Sequence, residues 1–481
     1  MSRQREIYTL PEKDVPLTEE ELAVVLAKTS RSPLSFRQIA AELKTDDASK
    51  FHEKYVLGYG HGSVAEFAMG AICFENVSIL ASKILESMGR PAVAEKSTRY
   101  QRFDADAVYV PAGVDDVRAA NLLKFLFAEY DFFTDELMKF TESVVPQDAK
   151  NRAGAVKGRA FDSARYLLPA GTQTNLAIRI NALDIPRLIG TLLISPHQEL
   201  REIGDGLKTT ALGVLPTLIK YANPDTYDDA VTLAIQNQLI TNNNNLVFTD
   251  SGRIKIRESR SEKIGSTTIG TQSVLLDNYN MYANDLISSA LLCRQPSRID
   301  LSTARETVSN WGAAKTEALL NDVLIPRGQF DPVPKEFSSA HLRYEVVMDY
   351  GAYRDLQRHR RCTQIPQALS TWLGFAIPDD IQAIGLGQRY LETMEKVKLM
   401  VDGLGAGPSE EYFIPLAFLH RTIYEMDVRE HFYIVELRSK PAGHFSYRRI
   451  VNMMQACFAK VHPFLAKYVR CVPMEGIGVH S

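Results

Sequence analysis

Cysteine is scarce and dispersed: five occur in 481 residues (Cys73, Cys293, Cys362, Cys457 and Cys471), with no CxxC pair and no His–Cys cluster. That pattern argues against a zinc site and a disulfide framework, and it fits a reducing cytoplasm. Excess charge of either sign is also missing. Lys and Arg number 55 against 58 Asp and Glu, for a formal charge of −3, so no global field gathers nucleic acid or anionic membrane. Any anion binding must be local. No segment reaches the roughly 20 apolar residues of a membrane span, and the opening "MSRQREIYTLPEKDVPLTEEEL" holds no apolar core of signal-peptide length. A Walker loop, HExxH and GxSxG are absent, and the ten histidines form no ligand-spaced pairs, so no metal is expected. The glycine stretches "GYGHGS" and "GLGAGP" lack the strand–turn–helix setting of a dinucleotide fingerprint.

What the chain does contain is itself, twice. "AEFAMGAICFENVS" (Ala65 to Ser78) resembles "KEFSSAHLRYEVVM" (Lys335 to Met348), with Glu-Phe in register and an aromatic eight residues beyond each Glu. "VDDVRAANLLKFLF" from Val114 resembles "PDDIQAIGLGQRYL" from Pro378, and Asp-Asp before an apolar residue reads as a helix N-cap in both. In "RYLLPAGTQTNLAIRINAL" and "YFIPLAFLHRTIYEMDV", Pro169 and Pro415 stand twelve residues before Asn181 and Asp427. Three matches in one order indicate two diverged copies of a unit of about 200 residues, an ordinary domain size.

The expected division is residues 1–235, a polar linker at 236–265, and residues 266–481. The Asn run in the linker favours a loop, and "RIKIR" within it reads as a short strand. Long amphipathic segments such as "NLLKFLFAEYDFFTDELMKF" outnumber short β-branched and aromatic runs such as "RYEVVMDYG". The fold class expected is α+β, with helices packed on a mostly antiparallel sheet.

Local positive charge concentrates in "DLQRHRRCTQ" (Asp355 to Gln364), where Arg358, His359, Arg360 and Arg361 are consecutive. Cys362 beside them reads either as a thiol activated by charge or as a small buried residue. Earlier, "HGSVAEF" (His61 to Phe67) and "EKSTRYQRF" (Glu95 to Phe103) stand in the first copy. With Arg358-His359-Arg360 these resemble the flavin-dependent thymidylate synthases, whose signature opens Arg-His-Arg, ends Asn-Glu, Ser and Arg-Tyr, and is preceded by His-x-Ser-x-x-Glu-His.

The resemblance is split between the copies. The first keeps His61, Ser63 and Glu66, then Glu95, Ser97, Arg99 and Tyr100, but Ser87, Met88 and Gly89 replace the head of the signature. The second keeps Arg358, His359 and Arg360, while its tail has become "TQIPQALST". The family's Ala-Arg-x-x-Leu-Pro is "ARYLLP" (Ala164 to Pro169) in the first copy and "EEYFIP" in the second. Conversely, Arg429 and Arg438 of "DVREHFYIVELR" have no counterpart in the first copy. Each copy supplies much of what the other lacks.

The resemblance implies reductive methylation of dUMP to dTMP, with FAD as cofactor and methylenetetrahydrofolate and NADPH as co-substrates. Ser97, Arg99, Arg165 and Arg358 would bind dUMP, and arginine suits a phosphate because its planar fork donates bidentately. Arg438 would stabilise charge developing on the pyrimidine. Arg358, His359 and Arg360, with Ser63, Glu95 and Arg429, would hold the flavin. The family's tetramer implies a homodimer of this two-unit chain, with composite sites and an empty degenerate pair.

Other readings of the same residues stand beside these. "RHRR" reads as a solvated surface face, Arg165 as neutralising Asp162, Arg438 as paired with Glu436 or Glu430, and His61 as part of a glycine turn. Ser97 reads as an ordinary element-end residue. A flavoenzyme acting on another pyrimidine nucleotide, and a nucleotide-binding protein without turnover, are the alternative functions.

Overall fold

The computed structural model describes residues 7–11, 16–99, 101–242, 254–257, 270–294 and 297–474. Most of the expected linker, and Tyr100, lie outside them. Residues 236–242 end a helix, Thr226–Asn242, and Ile254–Arg257 is a strand, as "RIKIR" suggested. No described helix is long and apolar enough to cross a membrane, and no group of three potential metal ligands occurs among the described residues.

The chain forms two compact units, and they are not its two sequence halves. The first comprises Met1–Lys96, Ala107–Val114 and Thr172–Val247; the second comprises Ser97–Asp106, Asp115–Gly171 and Phe248–Ser481. The second unit therefore contains two pieces of the first sequence copy.

In the first unit, strands β1 (Met69–Ser78), β2 (Ala92–Glu95) and β3 (Gln173–Asn181) form an antiparallel sheet in the order β1-β3-β2. Strand β3 alternates buried and accessible residues, the period-two pattern of a sheet with one covered face. Its inward Leu176, Ile178 and Ile180 pack with Ile72, Leu85, Leu188, Leu192 and Leu200 in one core. The helix Ile79–Ser87 follows β1 directly, because Ser78 caps it by accepting from the Ala81 amide.

In the second unit, β4 (Ile254–Arg257), β5 (Ser273–Tyr279), β6 (His341–Asp349), β7 (Thr363–Pro366) and β8 (Leu419–Asp427) form a sheet in the order β4-β5-β6-β8-β7, with every pair antiparallel. The subset β6-β8-β7 has the order and directions of β1-β3-β2. The fold is α+β, with the sequence repeat present as one strand–helix–strand pattern in each sheet.

The helix Asp116–Val144 starts as expected, with Asp115 accepting from Val117 and Arg118. The corresponding expectation in the second copy is corrected. There Pro378 is the N-cap of Asp379–Ala383, without a side-chain hydrogen bond. Arg449 holds Asp379 at 2.9 Å and Arg159 holds Asp380 bidentately at 2.7 and 2.8 Å, so both aspartates serve as counterions.

Candidate functional site

The second unit is organised locally where Tyr166 to Gly171 runs against Tyr412 to Ala417. Ala170 N donates to Ile414 O and Leu416 N to Leu168 O; Gly171 N donates to Tyr412 O and Ala417 N to Tyr166 O. The reciprocity is that of a local two-fold, with Pro169 opposite Pro415. It fixes Arg165, at the end of the helix Arg152–Ala164, beside the start of the helix Tyr350–Leu356.

That start is built on Asp349, which is fully buried. Its Oδ1 accepts from the Ala352 amide at 2.7 Å, and its Oδ2 accepts from Gln272 Nε2 at 2.6 Å and from Ser446 Oγ. Burial raises the pKa of Asp349, against the hydrogen bonds from Ser446 and Ala352 and the nearby charge of Arg165. Gly351 comes next, and a Cβ there would lie 3.0 Å from Asp349 Oδ1 and 3.8 Å from Arg165 Nη2, so a side chain at this position would press on both.

Around Arg165 the charges alternate. Arg99 grips Asp162 through two 2.7 Å hydrogen bonds, from Nε and Nη2. Arg165 is 4% exposed, and its Nη2 stands 3.5 Å from Asp355 Oδ2, yet neither its Nε nor its Nη2 makes a hydrogen bond. Burial works against the charge on Arg165, but Asp355, Asp162 and Asp349 together outweigh it and leave its pKa above the ordinary value. Burial likewise raises Asp162, against the pull of Arg165 and Arg99. Arg354 is buried as well, and its Nη1 reaches Thr98 Oγ1 at 3.5 Å. The link joins the "STR" turn of the first copy to the arginine four residues ahead of Arg358.

His444 closes one side. Its ring nitrogen Nε2 is 3.0 Å from the Asp162 carbonyl, its Nδ1 accepts from the Ser446 amide, and Tyr166 stacks on it with a 15° interplanar angle. Burial holds its pKa well below the usual range, with Arg165 adding to the effect, so the ring is neutral.

Arg438 ends the helix Val428–Arg438, and its Nε donates to His359 Nε2 at 2.7 Å. That contact places the His359 proton on Nδ1, which faces Glu430 Oε1 at 3.5 Å. Burial lowers the His359 pKa and Arg438 adds to it, while Glu430 opposes. Arg438 makes no other hydrogen bond among the described residues, and its guanidinium lies 5.4 Å from the Tyr447 ring centre. A braced cation with free Nη donors suits a carbonyl or oxyanion.

Of the residues singled out from sequence, the second unit gathers Ser97, Arg99, Arg165, Arg358, His359, Arg360, Arg429 and Arg438; Ser63 and Glu95 belong to the first. Ser97 turns back to accept from the Arg99 amide at 3.2 Å. Arg358 is exposed and Arg360 half-buried. Arg429 donates to the Val333 carbonyl at 3.1 Å, and Glu95 is held by Lys83 at 2.9 Å and Ser82 at 2.8 Å. Arg165 acts on Asp162 through its charge, in line with the neutralising reading, while Arg99 makes the hydrogen bonds to it. Arg438 pairs with neither Glu436 nor Glu430, since Glu436 binds Arg327. Cys362 is buried, its Sγ donating to the His359 carbonyl, and burial pushes its pKa up to about 12. Of the two readings of Cys362, the structure therefore supports the small buried residue.

Sequence reading missed Arg354, Asp355, Asp349 and His444. The spacing that signals Arg354 is its place one helical turn before Arg358. Nothing in the sequence marked Asp349 or His444. A small cleft lined by Tyr166, Gln272, Asp379, Phe445, Ser446 and Arg449 contains none of the predicted residues.

The family model described as thymidylate synthase complementing protein matches residues 15–217 and 275–464, together well over half of the chain. The chain belongs to this family. Two matched stretches agree with the two copies. Relatives along nearly the full length are called UPF0159 protein: one from Chlamydia pneumoniae is 27% identical over 91% of this chain and 84% of its own. A Thermoplasma acidophilum protein of the same name is 25% identical over 88% of each chain. A flavin-dependent thymidylate synthase of Sulfolobus acidocaldarius is 26% identical over 43% of this chain and 73% of its own. Among solved structures, one from Helicobacter pylori, titled as a flavin-dependent thymidylate synthase complexed with FAD and dUMP, covers 41% of this chain and 98% of its own at 14% identity and a TM-score of 0.32.

Proposed function

We propose that the protein is an FAD-dependent enzyme that methylates dUMP to dTMP, taking its carbon from methylenetetrahydrofolate and its reducing equivalents from NADPH, as a cytoplasmic homodimer. Family membership supports the reading. The observation that carries it is the gathering, in one compact unit, of Arg99 and Arg165 from one sequence copy with Arg354, His359 and Arg438 from the other.

The residues fit an anionic nucleotide at one telling point. Arg165 has two buried nitrogens without hydrogen-bond partners, donors that a bound anion would satisfy. Arg165, with Arg99, Ser97 and Arg358, would take the nucleotide phosphate. Arg438, braced by His359, would present its Nη donors to the pyrimidine oxygen on which charge develops. Bound FAD supplies the hydride chemistry. The accessible Arg358 and Arg360 would hold its phosphates, and exposed Ser63 keeps its proposed cofactor role. Glu95 and Arg429 are taken by Lys83 and the Val333 carbonyl, and His359 acts by orienting Arg438.

A second reading has its own support. Asp162 and Asp355 sit on the two best-placed arginines, which suits a less highly charged ligand or a changed pyrimidine. Purified protein should carry FAD and turn dUMP into dTMP when given the two co-substrates. Flavin binding with turnover only on another pyrimidine nucleotide selects the second reading. Loss of both flavin and nucleotide binding would overturn both.

A further inference from the structure

We infer that Asp355 is a built-in competitor that occupies Arg165 until a ligand anion displaces it. The inference rests on the reading of Arg165 as an anion ligand. Three observations carry it. Arg165 is 4% exposed, and neither its Nε nor its Nη2 makes a hydrogen bond, so its donors are held back rather than used. Asp355 is the nearest carboxylate to Nη2, but at 3.5 Å it gives charge without a hydrogen bond. Its side chain is also 25% exposed, whereas Asp349 is fully buried behind three donors and Asp162 is clamped by Arg99. Of the three aspartates around Arg165, Asp355 alone is free to swing into solvent.

The local backbone makes such a movement simple. Asp355 lies in the last turn of the helix Tyr350–Leu356, immediately before the turn that carries Arg358 to Arg361. A carboxylate leaving Arg165 enters solvent, only a few residues before these cations in the chain. The anion that replaces it gains two charge-assisted donors that are otherwise unsatisfied. Discrimination follows. An uncharged nucleoside cannot displace a carboxylate from a guanidinium, whereas a phosphate monoester can. Asp355 therefore weakens all anion binding and sharpens the preference for the doubly charged ligand.

The test uses the full-length protein and two probes, inorganic phosphate and dUMP, titrated calorimetrically. Asp355→Asn removes the competing charge with the shape kept, and Asp355→Ser is the second variant in case the first fails to fold. Phosphate should bind a folded variant about tenfold tighter than the parent protein, the scale of one partly screened ion pair. Adding Arg165→Met to the variant should abolish the gain. Equal or weaker phosphate binding in both folded variants overturns the inference, as does a gain that survives Arg165→Met. The dUMP arm separates this from the function itself. Tighter phosphate with no dUMP binding would refute the proposed substrate and leave the competitor standing, whereas dUMP turnover with no gain in either variant would do the reverse.

Discussion

Replacing Asp349 by Ala should be the most damaging single change in the second unit, and the structure gives its scale. The substitution removes the N-cap of the helix Tyr350–Leu356, a loss of about 1 kcal/mol. It also takes from the buried Ser446 hydroxyl its acceptor and from Gln272 Nε2 one of its two, the other being Ser446 Oγ at 2.8 Å, at about 1–3 kcal/mol each. The expected destabilisation is about 3–7 kcal/mol, read as a shift in urea midpoint by far-ultraviolet circular dichroism. Asp349→Asn should be milder, because Gln272 Oε1 has no partner and a flipped amide would accept from the new Nδ2. The pH dependence follows from the sign of the shift. Burial raises the Asp349 pKa, so its stabilising contribution is complete below the ordinary carboxylate value and is lost as pH rises through the raised one. The stability gap between the parent protein and Asp349→Asn should therefore narrow from pH 4 toward pH 7. A loss under about 1 kcal/mol in Asp349→Ala, or a gap that widens with pH, would refute this account of the cap.

Lys83→Met should destabilise the first unit by about 3–5 kcal/mol, since it strands buried Glu86 and Glu95 without their cation; rescue by Glu86→Gln with Glu95→Gln in the same chain would confirm the cause by thermal melting. Acid should unfold the second unit early. Burial lowers His431 to about 3 and His420 and His462 to about 4, so their stabilisation is complete above 6.5 and drains as pH falls to those values. His431→Gln should flatten that slope in a pH titration of the urea midpoint, and an unchanged slope would clear His431. Arg358→Ala and Arg360→Ala should each strip flavin during purification, with Arg361→Ala much milder; equal losses in all three would mark a generic basic surface. Flavin should titrate to one per chain in a two-chain particle by light scattering, and two per chain would contradict composite sites.

The repeat was legible because paired apolar and acidic signatures survive divergence. The partition into compact units was not, because Ser97 to Asp106 and Asp115 to Gly171 leave their own copy through contacts that depend on three dimensions. Arg99, Arg165 and Arg438 were legible as isolated cations. Their pairings were not, because Asp162 was read against Arg165 and not Arg99, His359 as a flavin ligand and not the brace of Arg438, and Asp355 takes its meaning only from what faces it.

One pair of contacts shows what pattern matching overlooks. In the first unit, Ser78 caps its helix, and its amide and hydroxyl donate to Glu199 in the first turn of the helix Gln198–Leu212. In the second unit, Asp349 caps the matching helix and accepts from Ser446, in the first turn of the helix Phe445–Val461. A histidine, His197 or His444, is the N-cap of the later helix in both. The hydroxyl–carboxylate hydrogen bond persists while its ends change places, so an aligned comparison of Ser78 with Asp349, or of Glu199 with Ser446, records two mismatches where the physics is one retained contact. Such an exchange needs coupled change at both ends, since two hydroxyls would leave the buried site without its charge and two carboxylates would repel. The duplicated chain thus kept the interaction that seats each first helix on its sheet. Its charges changed both within that helix, where Ile84 stands at the position of Asp355 and Glu86 at that of Gln357, and at its end, where Ser87-Met88-Gly89 stands at the position of Arg358-His359-Arg360.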